Sequence, residues 1–352
     1  MRREIVAGAW LWTCRAGFEG TLVEEIRARW VRSDVQEFAP ALVLGERAAA
    51  RAIAAPVPVF ARQGFVVTDV IDERRPAELA RRVSQSLRES FRTLPPNAPW
   101  MLHVFVPDAD DTNRMAAVAE TLRKSIELAA PTVDATWADR RSARWSDVRN
   151  QGGLLAQACL VSHGRVAIGV GPAVDALSGH PGGRARMRVS DEAPSRAAMK
   201  LAEAIDWLGT GPAPGDRCVD LGAAPGGWSY IALERGAQVV GVDPGAMADV
   251  ITSHRGYRHV RGSAFDFEPD APVDWLLCDM VWRPLEVAGL LGKWARRGWA
   301  RMLIANVKLP MKSKVEFVDR IASTLRSGGW SDVRMRQLYH DREEVTVAAF
   351  RK

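Results

Sequence analysis

The sequence has few residues that cross-link a chain or bind metals. Its 352 residues include 4 Cys and 6 His, all dispersed, and no two cysteines form a C-x-x-C pair. Neither a disulfide framework nor a zinc site is therefore indicated, and we expect no metal. Cysteine used this sparingly fits a reducing compartment, so we expect a cytoplasmic protein.

Long apolar runs are missing as well. No run approaches the roughly 18 residues of a membrane span, and the N-terminal segment has no apolar core followed by a cleavage site. The composition is otherwise that of a globular protein, with 47% hydrophobic and 26% charged residues. A chain of 352 residues has room for two or three domains, so we expect an ordinary folded protein without a membrane segment.

Lysine is scarce, with 7 Lys beside 41 Arg in a chain of net charge +6. An excess of arginine over lysine can result from the base composition of the genome, so on its own it is poor evidence for phosphate binding. Residues 1–190 nevertheless carry 26 basic and 21 acidic side chains, against 22 and 21 in 191–352. Between Arg140 and Arg188, eight arginines face two aspartates, a density that fits an anionic polymer about as well as a solvated surface.

The second half of the chain alternates helical and strand-like segments at the rhythm of a parallel α/β sheet. Helices are predicted at 195–209, 228–236, 284–299 and 314–329, with strands at 217–222, 238–243, 257–265, 275–280 and 302–310. Two last strands, 332–340 and 343–351, are separated by a short polar turn and should pair as an antiparallel hairpin. A doubly wound sheet closed by a late hairpin points to the methyltransferase variant of the Rossmann-like fold.

The sequence of the first half indicates a different fold class, α+β. Helices are expected near 18–31, 76–92 and 113–129, with strands at 59–70 and 100–106 and a strand pair within 153–171. The Gly- and Arg-rich stretch 172–193 reads as a linker. The expected domains are therefore 1–171 and 194–352, joined by 172–193.

A strand-to-helix turn in the second half has the features of a nucleotide site. An apolar strand ends at Asp220 and passes through the small residues Gly222–Gly227 into a helix. Small side chains let backbone N–H groups approach a ligand, and the next strand ends at Asp243, whose carboxylate can accept hydrogen bonds from two ribose hydroxyls. The G-x-G-x-x-G spacing and a G-K-[ST] motif are both absent, which disfavours NAD and a P-loop nucleotide.

Four ionisable residues are placed by the pattern at one rim of the same sheet. Asp279 and Lys308 end two strands, Lys200 lies on the helix ahead of the first strand, and Glu344 opens the last one. Ligands of parallel sheets bind outside the carboxyl ends of the strands. Each residue alone would more readily be a solvated surface residue, but the ordered set favours catalysis.

The turn resembles the S-adenosylmethionine motif of RNA ribose methyltransferases, in which Pro-Gly-Gly-[Trp/Phe] is typical. The Lys-Asp-Lys-Glu order resembles the FtsJ-like members of that family. Further strings with the same resemblance are APSR (193–196), CDMV (278–281), NVKLPMK (306–312) and RQLYHDREEVTV (336–347). CRAGFEG (14–20) and VFARQ (59–63) resemble the THUMP-containing half of such enzymes.

This resemblance implies a Rossmann-like class I methyltransferase domain preceded by an α+β THUMP-containing RNA-binding region. It implies S-adenosyl-L-methionine as cofactor and 23S rRNA as partner, with 2′-O-methylation of a cytidine ribose in the peptidyl-transferase region. The proton acceptor would be Lys308, acting with Asp279, Lys200 and Glu344. The cofactor would contact Ser195, Asp220, Gly222, Ala224, Pro225, Gly226, Gly227, Asp243, Ser263 and Asp279.

The chemistry of a ribose hydroxyl explains why lysine would be retained at such a site. The hydroxyl is a weak nucleophile and must lose its proton, and a lysine accepts that proton only when its pKa falls from about 10.4 to roughly 7 or 8. Burial and a second ammonium group lower a lysine pKa, whereas arginine is not deprotonated in proteins. Carboxylates at Asp279 and Glu344 would orient these groups.

Other functions stay open from the sequence. Methylation of a base amino group normally uses [Asp/Asn]-Pro-Pro-[Tyr/Phe/Trp], but residues 279–282 read Asp-Met-Val-Trp. Methylation at cytosine C5 needs a cysteine, and Cys278 is predicted to be a buried thiol. An inactive RNA-binding or ribosome-assembly factor, or a ribose methyltransferase with another target, are further alternatives. Trp282 is a candidate for contact with the target nucleotide.

Overall fold

The computed structural model describes residues 4–29, 34–46, 57–92, 98–133, 139–142 and 144–351. The chain divides into two compact units, Met1–Arg184 and Ala185–Lys352. The division lies inside the stretch predicted as a linker. Part of that stretch belongs to the first unit, since the Thr13 hydroxyl donates a hydrogen bond of 2.9 Å to the Gly182 carbonyl.

The first unit contains two four-stranded sheets. One has the antiparallel order β2-β3-β1-β4 and the other the order β5-β8-β7-β6, in which β6 and β7 are parallel. The strands are β1 (Trp10–Thr13), β2 (Val35–Ala39), β3 (Leu42–Gly45), β4 (Gln63–Val66), β5 (Asp69–Asp72), β6 (Trp100–Phe105), β7 (Leu154–Ser162) and β8 (Arg165–Pro172). The predicted strand pair within 153–171 is thus confirmed as β7 and β8.

Helices of the first unit cover its sheets, which confirms the α+β pattern. They are α1 (Glu19–Arg29), α2 (Pro76–Phe91), α3 (Asp110–Asn113), α4 (Ala116–Val133) and α5 (Trp145–Asn150). Val83 and Leu87 of α2 and Ile126 of α4 are fully buried in one cluster with the second sheet. Residues 30 and 31 of the predicted first helix lie outside the described residues.

One predicted strand of the first half, 59–70, is wrong as a single strand. The chain passes from the first sheet to the second one there. The Val67 amide donates to the carbonyl of Ala9, next to β1, and the Thr68 amide donates to the carbonyl of Ile168 in β8. The run therefore forms β4 and β5 in different sheets. A sequence pattern that favours extended backbone does not show which strand each amide pairs with.

The second unit is a seven-stranded sheet of order β11-β10-β9-β12-β13-β15-β14. Its strands are β9 (Arg217–Leu221), β10 (Gln238–Val242), β11 (Tyr257–Val260), β12 (Val273–Cys278), β13 (Ala300–Lys308), β14 (Ser331–Arg336) and β15 (Glu344–Phe350). The neighbours from β11 to β13 are parallel, whereas β15 runs antiparallel to both β13 and β14. The Rossmann-like fold and the closing hairpin are confirmed.

Helices pack on both faces of this sheet. They are α6 (Ala198–Leu208), α7 (Gly227–Glu234), α8 (Asp249–Thr252), α9 (Pro284–Arg296) and α10 (Lys314–Ser327). Trp275, Leu277 and Ile304 pack in one cluster with α6, α7 and α8. Leu276 and Leu303 point to the opposite face and are also fully buried, so the central strands carry apolar residues without alternation.

The parallel strands β9, β10, β12 and β13 end at one edge of this sheet, and the antiparallel β15 begins there. This edge carries the predicted site residues. No helix within the described ranges is both long and apolar enough to span a bilayer. In the same ranges, no three His, Cys, Asp or Glu side chains are grouped as a metal site would require.

Candidate active site

The turn after β9 forms a cradle because of its glycines. Gly222 has φ +74° and Gly226 has φ +118°, conformations that favour glycine. A Cβ atom at Gly222 would lie 2.5 Å from Cγ of Met280, and one at Gly227 would collide with the hydroxyl of Ser195. The cradle therefore packs against Met280 on one side and against Ser195 on the other.

Asp220 lies beneath this cradle and is fully buried. Its Oδ2 accepts a hydrogen bond of 2.7 Å from Ser229, the third residue of α7. Burial raises the pKa of Asp220 from 3.8 to about 7 in spite of that hydrogen bond. Among the described residues, the buried Oδ1 of Asp220 and the buried hydroxyl of Ser195 have no hydrogen-bond partner.

Asp243 follows β10 and is bound to the turn itself. Its Oδ2 accepts a hydrogen bond of 3.2 Å from the Ala224 amide, and its Oδ1 accepts one of 2.6 Å from the Gly245 amide. Each carboxylate oxygen keeps further acceptor capacity for a ribose hydroxyl. Ser263 is exposed, and its hydroxyl accepts from the Phe265 amide at 3.2 Å, so its contact with adenine stays a prediction.

The structure brings Lys200, Asp279, Lys308 and Glu344 together. Glu344 bridges the two lysines, with 2.5 Å from Oε1 to Nζ of Lys200 and 3.0 Å from Oε2 to Nζ of Lys308. Nζ of Lys200 is also 3.4 Å from Oδ1 of Asp279. Lys308 and Glu344 are directly opposite each other in the antiparallel β13–β15 pair, which explains their contact.

Burial and pairing give these groups different charges. Burial alone would raise the pKa of Glu344, but the two ammonium groups outweigh it and lower that pKa. Burial alone would lower the pKa of Lys200, but Asp279 and Glu344 outweigh it and raise that pKa. Lys200 therefore stays charged, whereas the lowered lysine pKa was expected of the proposed proton acceptor, Lys308.

Asp279 has the opposite balance. Its side chain is 14% exposed, and burial raises its pKa even though Lys200 and Lys308 lower it. Cys278, one residue earlier, is fully buried, and burial raises its pKa to about 12. The prediction that the Cys278 thiol is buried is confirmed.

Comparison with known proteins places this site in a family. The profile of the FtsJ-like methyltransferases matches residues 193–287. "Ribosomal RNA large subunit methyltransferase M" of Halorhodospira halophila is 34% identical over 97% of this chain and 96% of its own length. The protein of the same name from Alkalilimnicola ehrlichii is 33% identical over 98% and 95%. The chain belongs to the ribosomal RNA large subunit methyltransferase M family.

One solved structure that aligns with part of this chain is that of fibrillarin from Aeropyrum pernix, in complex with natively bound S-adenosyl-L-methionine. It aligns with a TM-score of 0.35 and 23% identity, over 43% of this chain and 74% of that chain.

S-adenosyl-L-methionine is the methyl donor of FtsJ-like methyltransferases, and in this member of the methyltransferase M family the residues at the cradle fit it. Two buried polar atoms without partners, on Asp220 and Ser195, lie beside a turn whose glycines leave room for a ligand. Asp243 supplies the carboxylate that a ribose requires. The predicted cofactor-binding residues around 220–227 therefore lie directly beside Ser195 and Met280.

A buried polar network beneath the four ionisable residues escaped the sequence reasoning. Asn306 and Thr346 are opposite each other in the β13–β15 pair, two residues from Lys308 and Glu344. Thr346 lies within 2.8 Å of Asn306 and 2.9 Å of Asp341, and Nδ2 of Asn306 is 3.1 Å from Asp341. The sequence does indicate this network, because residues two apart in a strand share a face, and Asn306 and Thr346 are two residues from Lys308 and Glu344.

Glu203 is a second buried carboxylate that the sequence reasoning missed. It lies on α6, one turn after Lys200, and is 3% exposed. Its two oxygens accept hydrogen bonds of 2.7 and 2.8 Å from the amides of Tyr339 and His340. In this member of the methyltransferase M family, Glu203 thus ties the segment before Glu344 to the helix that carries Lys200.

Proposed function

We propose that this chain transfers the methyl group of S-adenosyl-L-methionine to the 2′-hydroxyl of a cytidine ribose in the peptidyl-transferase region of 23S rRNA. The proposed proton acceptor is Lys308. The supporting observation is the cluster of Lys200, Asp279, Lys308 and Glu344 at the sheet edge that also carries the cofactor turn.

Differences in exposure support the choice of Lys308 as the residue that meets the substrate. Its side chain is 30% exposed, whereas those of Lys200 and Asp279 are each 14% exposed and that of Glu344 is 2% exposed. A group that takes a proton from a bound hydroxyl must come within about 3 Å of it. Lys308 is the member of the cluster that a large RNA substrate can reach most readily.

The proposed proton transfer requires that Lys308 first releases its own proton and becomes a neutral amine. A neutral amine donates one N–H to Oε2 of Glu344, 3.0 Å away, and keeps a lone pair for the hydroxyl proton. Once the proton has moved, Lys308 is an ammonium group beside a carboxylate, which stabilises the new charge. Lys200 holds the other oxygen of Glu344 and so fixes the carboxylate in place.

The cofactor, when bound, supplies a methyl group made electrophilic by its sulfonium charge. In the proposed function the cradle at Gly222–Gly227 and Asp243 binds it. In the order of the sheet, Asp279 after β12 lies between the turn after β9 and Lys308 on β13. Asp279 and Glu344 would orient the two ammonium groups through charge-assisted hydrogen bonds.

Two observations argue against methylation of a base. Residues 279–282 lack the proline pair that grips a flipped base for amino methylation. The Cys278 thiol is buried, and its pKa of about 12 leaves no thiolate for attack on cytosine C6 at neutral pH. A ribose hydroxyl with a lysine acceptor remains the chemistry that the site supports best.

Two kinds of evidence support the proposed target of methylation. Relatives over the whole length of the chain are named for the large-subunit ribosomal RNA, and the resemblance of the motifs implies the cytidine and the region. The positive excess in residues 1–190 is compatible with an RNA partner.

Alkaline hydrolysis mapping tests the proposed function directly. Purified chain, S-adenosyl-L-methionine and unmodified 23S rRNA are incubated, and the RNA is then hydrolysed to a ladder. A 2′-O-methyl group removes the nucleophile for cleavage at one linkage, so we expect one missing band at a cytidine of the peptidyl-transferase region. An unchanged ladder after incorporation of labelled methyl groups would place the methyl group on a base and overturn the ribose assignment.

A further inference from the structure

Exposed apolar side chains are grouped around the mouth of the candidate active site. Val281 and Trp282, 80% and 51% exposed, follow β12 just after Asp279, and Met311, 80% exposed, follows β13 just after Lys308. Among the large hydrophobic side chains that are exposed in the described part of the chain, Trp282 is the sole aromatic one. Exposed apolar groups at a functional edge commonly mark a contact surface.

Trp282 is exposed but fixed in orientation. Its indole Nε1 donates a hydrogen bond of 2.7 Å to Glu286, and its ring lies 5.6 Å from that of Phe265 at an angle of 53°. Glu286 also accepts a hydrogen bond of 3.0 Å from Arg283. The hydrogen bonds from Trp282 and then from Arg283 lower the pKa of Glu286, so this acceptor stays ionised.

Each of the two loops pairs an apolar group with a cation. Arg283, whose side chain is 82% exposed, follows Trp282, and the exposed Lys312 follows Met311. An unpaired nucleotide offers the complementary pair, a base with two π-faces and an anionic phosphate. A protein partner would not require this repeated pairing beside a catalytic edge.

We propose that the Trp282 indole is a stacking platform for an unpaired base of the RNA substrate next to the target nucleotide, and that Arg283 binds an adjacent phosphate. This inference rests on the proposed function, since it concerns the substrate of the same site. Bases stack on aromatic side chains in single-stranded RNA complexes, and a fixed ring loses little freedom on binding. Glu286 is then a positioning residue for both groups.

Two variants separate stacking from charge. RNA affinity of the full chain is measured against salt concentration with a 23S rRNA fragment that contains the peptidyl-transferase region. Trp282→Ala should weaken binding about tenfold without changing the salt slope, because stacking releases no counterion. Arg283→Ala should reduce the slope of log K against log salt by about 1.

Each variant has a matched control: Arg297, at the opposite end of α9 from Arg283, and a second substitution at position 282. Arg297 is also exposed but lies at the far end of α9, whose 13 residues span about 20 Å, so Arg297→Ala should keep the wild-type salt slope. Trp282→Phe keeps an aromatic face and should recover most of the affinity. In turnover assays, the effect of Trp282→Ala should be larger on KM for RNA than on kcat.

The outcomes distinguish the inference from the proposed function. Wild-type RNA affinity in Trp282→Ala would overturn the platform and leave the patch to a protein partner. A lower melting temperature or weaker S-adenosyl-L-methionine binding in that variant would also overturn it, by assigning Trp282 a structural role. If the wild-type chain binds the fragment but leaves its riboses unmethylated, the proposed function fails, while the binding comparison still tests the platform.

Discussion

Two lysines of the site have the same side chain but different partners. Lys200 contacts two carboxylates, Asp279 and Glu344, and its pKa is raised, so it is a permanent cation. Within the described ranges, the ion pair of Lys308 is with Glu344, and Lys308 has the larger exposed fraction. A pair of arginines could supply the charge of such a site but not a group that takes up a proton.

Removal of Lys308 should stop methyl transfer without emptying the cofactor cradle. We expect Lys308→Ala to lower kcat at least about 100-fold, the range of general base catalysis, with nearly unchanged affinity for S-adenosyl-L-methionine. Lys308→Arg should be equally inactive, because arginine keeps its proton. Incorporation of labelled methyl groups and calorimetry of cofactor binding measure the two effects.

Lys293 offers a matched control for that experiment. Its side chain on α9 is 33% exposed, close to the 30% of Lys308, and its Nζ is 3.3 Å from Glu268, but it is not part of the four-residue cluster. Lys293→Ala should methylate RNA at the wild-type rate. Normal turnover in Lys308→Ala would show that another group accepts the proton.

Asp220 should make the stability of the protein depend on pH. Folding raises its pKa from 3.8 to about 7, so between these values the folded chain holds a proton that the unfolded chain has released. The free energy of unfolding therefore falls as pH rises from about 4 to about 7, by on the order of a few kcal/mol, and stays lower above 7.

Asp220→Asn removes this titration and keeps an oxygen for Ser229. We expect the variant to gain stability relative to the wild type as pH rises, with little difference near pH 5 and a clear advantage near pH 8.5. Urea unfolding of both chains at the two pH values measures the change. A difference that is the same at both values would mean that Asp220 is ionised in the folded protein.

The sequence singled out candidate site residues whose type is unusual in this chain. Lysine is rare in this chain, so Lys200 and Lys308 stood out, and the structure places them 2.5 and 3.0 Å from one glutamate. The charge of Lys200 could not be predicted, because it depends on the balance between burial and two carboxylates. The backbone amides bound to Asp243 were equally hidden, since every residue carries one.

At the scale of elements, the β13–β15 pair carries buried side chains that share protons in a hydrogen-bond network next to the site. Thr346 is 2.8 Å from Oδ1 of Asn306 and 2.9 Å from Oδ2 of Asp341, but a hydroxyl has only one proton to donate. A protonated Asp341 supplies the missing donor. This agrees with burial, which raises the pKa of Asp341 from 3.8 to about 8.

Loss of the Thr346 hydroxyl should therefore destabilise the protein and loosen Glu344, two residues earlier on β15. Thr346→Val removes the hydroxyl that contacts the buried Oδ1 of Asn306 and one of the partners of Asp341, a cost of about 1–3 kcal/mol. We also expect a lower kcat. Thr346→Ser keeps the hydroxyl and should stay close to the wild type in both respects.

Urea unfolding and methylation assays of the two variants check this prediction. If Thr346→Val were as stable as Thr346→Ser, the hydroxyl would not be part of a shared network. If it were less stable but equally active, the network would hold the fold without positioning Glu344.

Elements with a clear period were predicted better than their ends. The helix from 314 and the antiparallel hairpin of β14 and β15 match the sequence pattern. The strand predicted over 302–310 is present but runs from Ala300 to Lys308. The strand predicted over 257–265 ends at Val260, because Ser263 accepts from the Phe265 amide and turns the chain. Side-chain hydrogen bonds of this kind compete with strand pairing and leave no periodic signal.

At the scale of the whole molecule, charge is distributed unevenly along the chain. The excess of basic residues lies in the first half, but several of the arginines between 140 and 188 pair with acids outside that stretch. Arg141 pairs with Glu127, Arg165 with Asp72 at 3.7 Å and Arg184 with Asp108 at 3.1 Å. The attraction for an anionic polymer is therefore weaker than the sequence count indicates.

The second unit alone should bind the cofactor but methylate RNA poorly. Every residue of the cradle and of the four-residue cluster lies in Ala185–Lys352, while the predicted RNA-binding region lies in Met1–Arg184. We expect a fragment of residues 185–352 to keep nearly full S-adenosyl-L-methionine affinity and to lose at least about tenfold in RNA affinity at physiological salt. Calorimetry and RNA binding across salt concentrations compare it with the full chain.

A fragment that methylates 23S rRNA as efficiently as the full chain would contradict the RNA-binding role of the first unit. A fragment that fails to bind the cofactor would mean that the second unit needs the first one to fold. Its far-ultraviolet circular dichroism separates that result from a loss of binding residues.

The position of β15 has a consequence for when the protein becomes active during its synthesis. β15 follows every other strand of its sheet along the chain, yet it lies between β13 and β14, and it brings in Glu344. A nascent chain thus holds both lysines before it holds the carboxylate that joins them. Methyl transfer by the proposed cluster must await the last strand, so an incomplete polypeptide on a translating ribosome is inactive toward the ribosomal RNA around it.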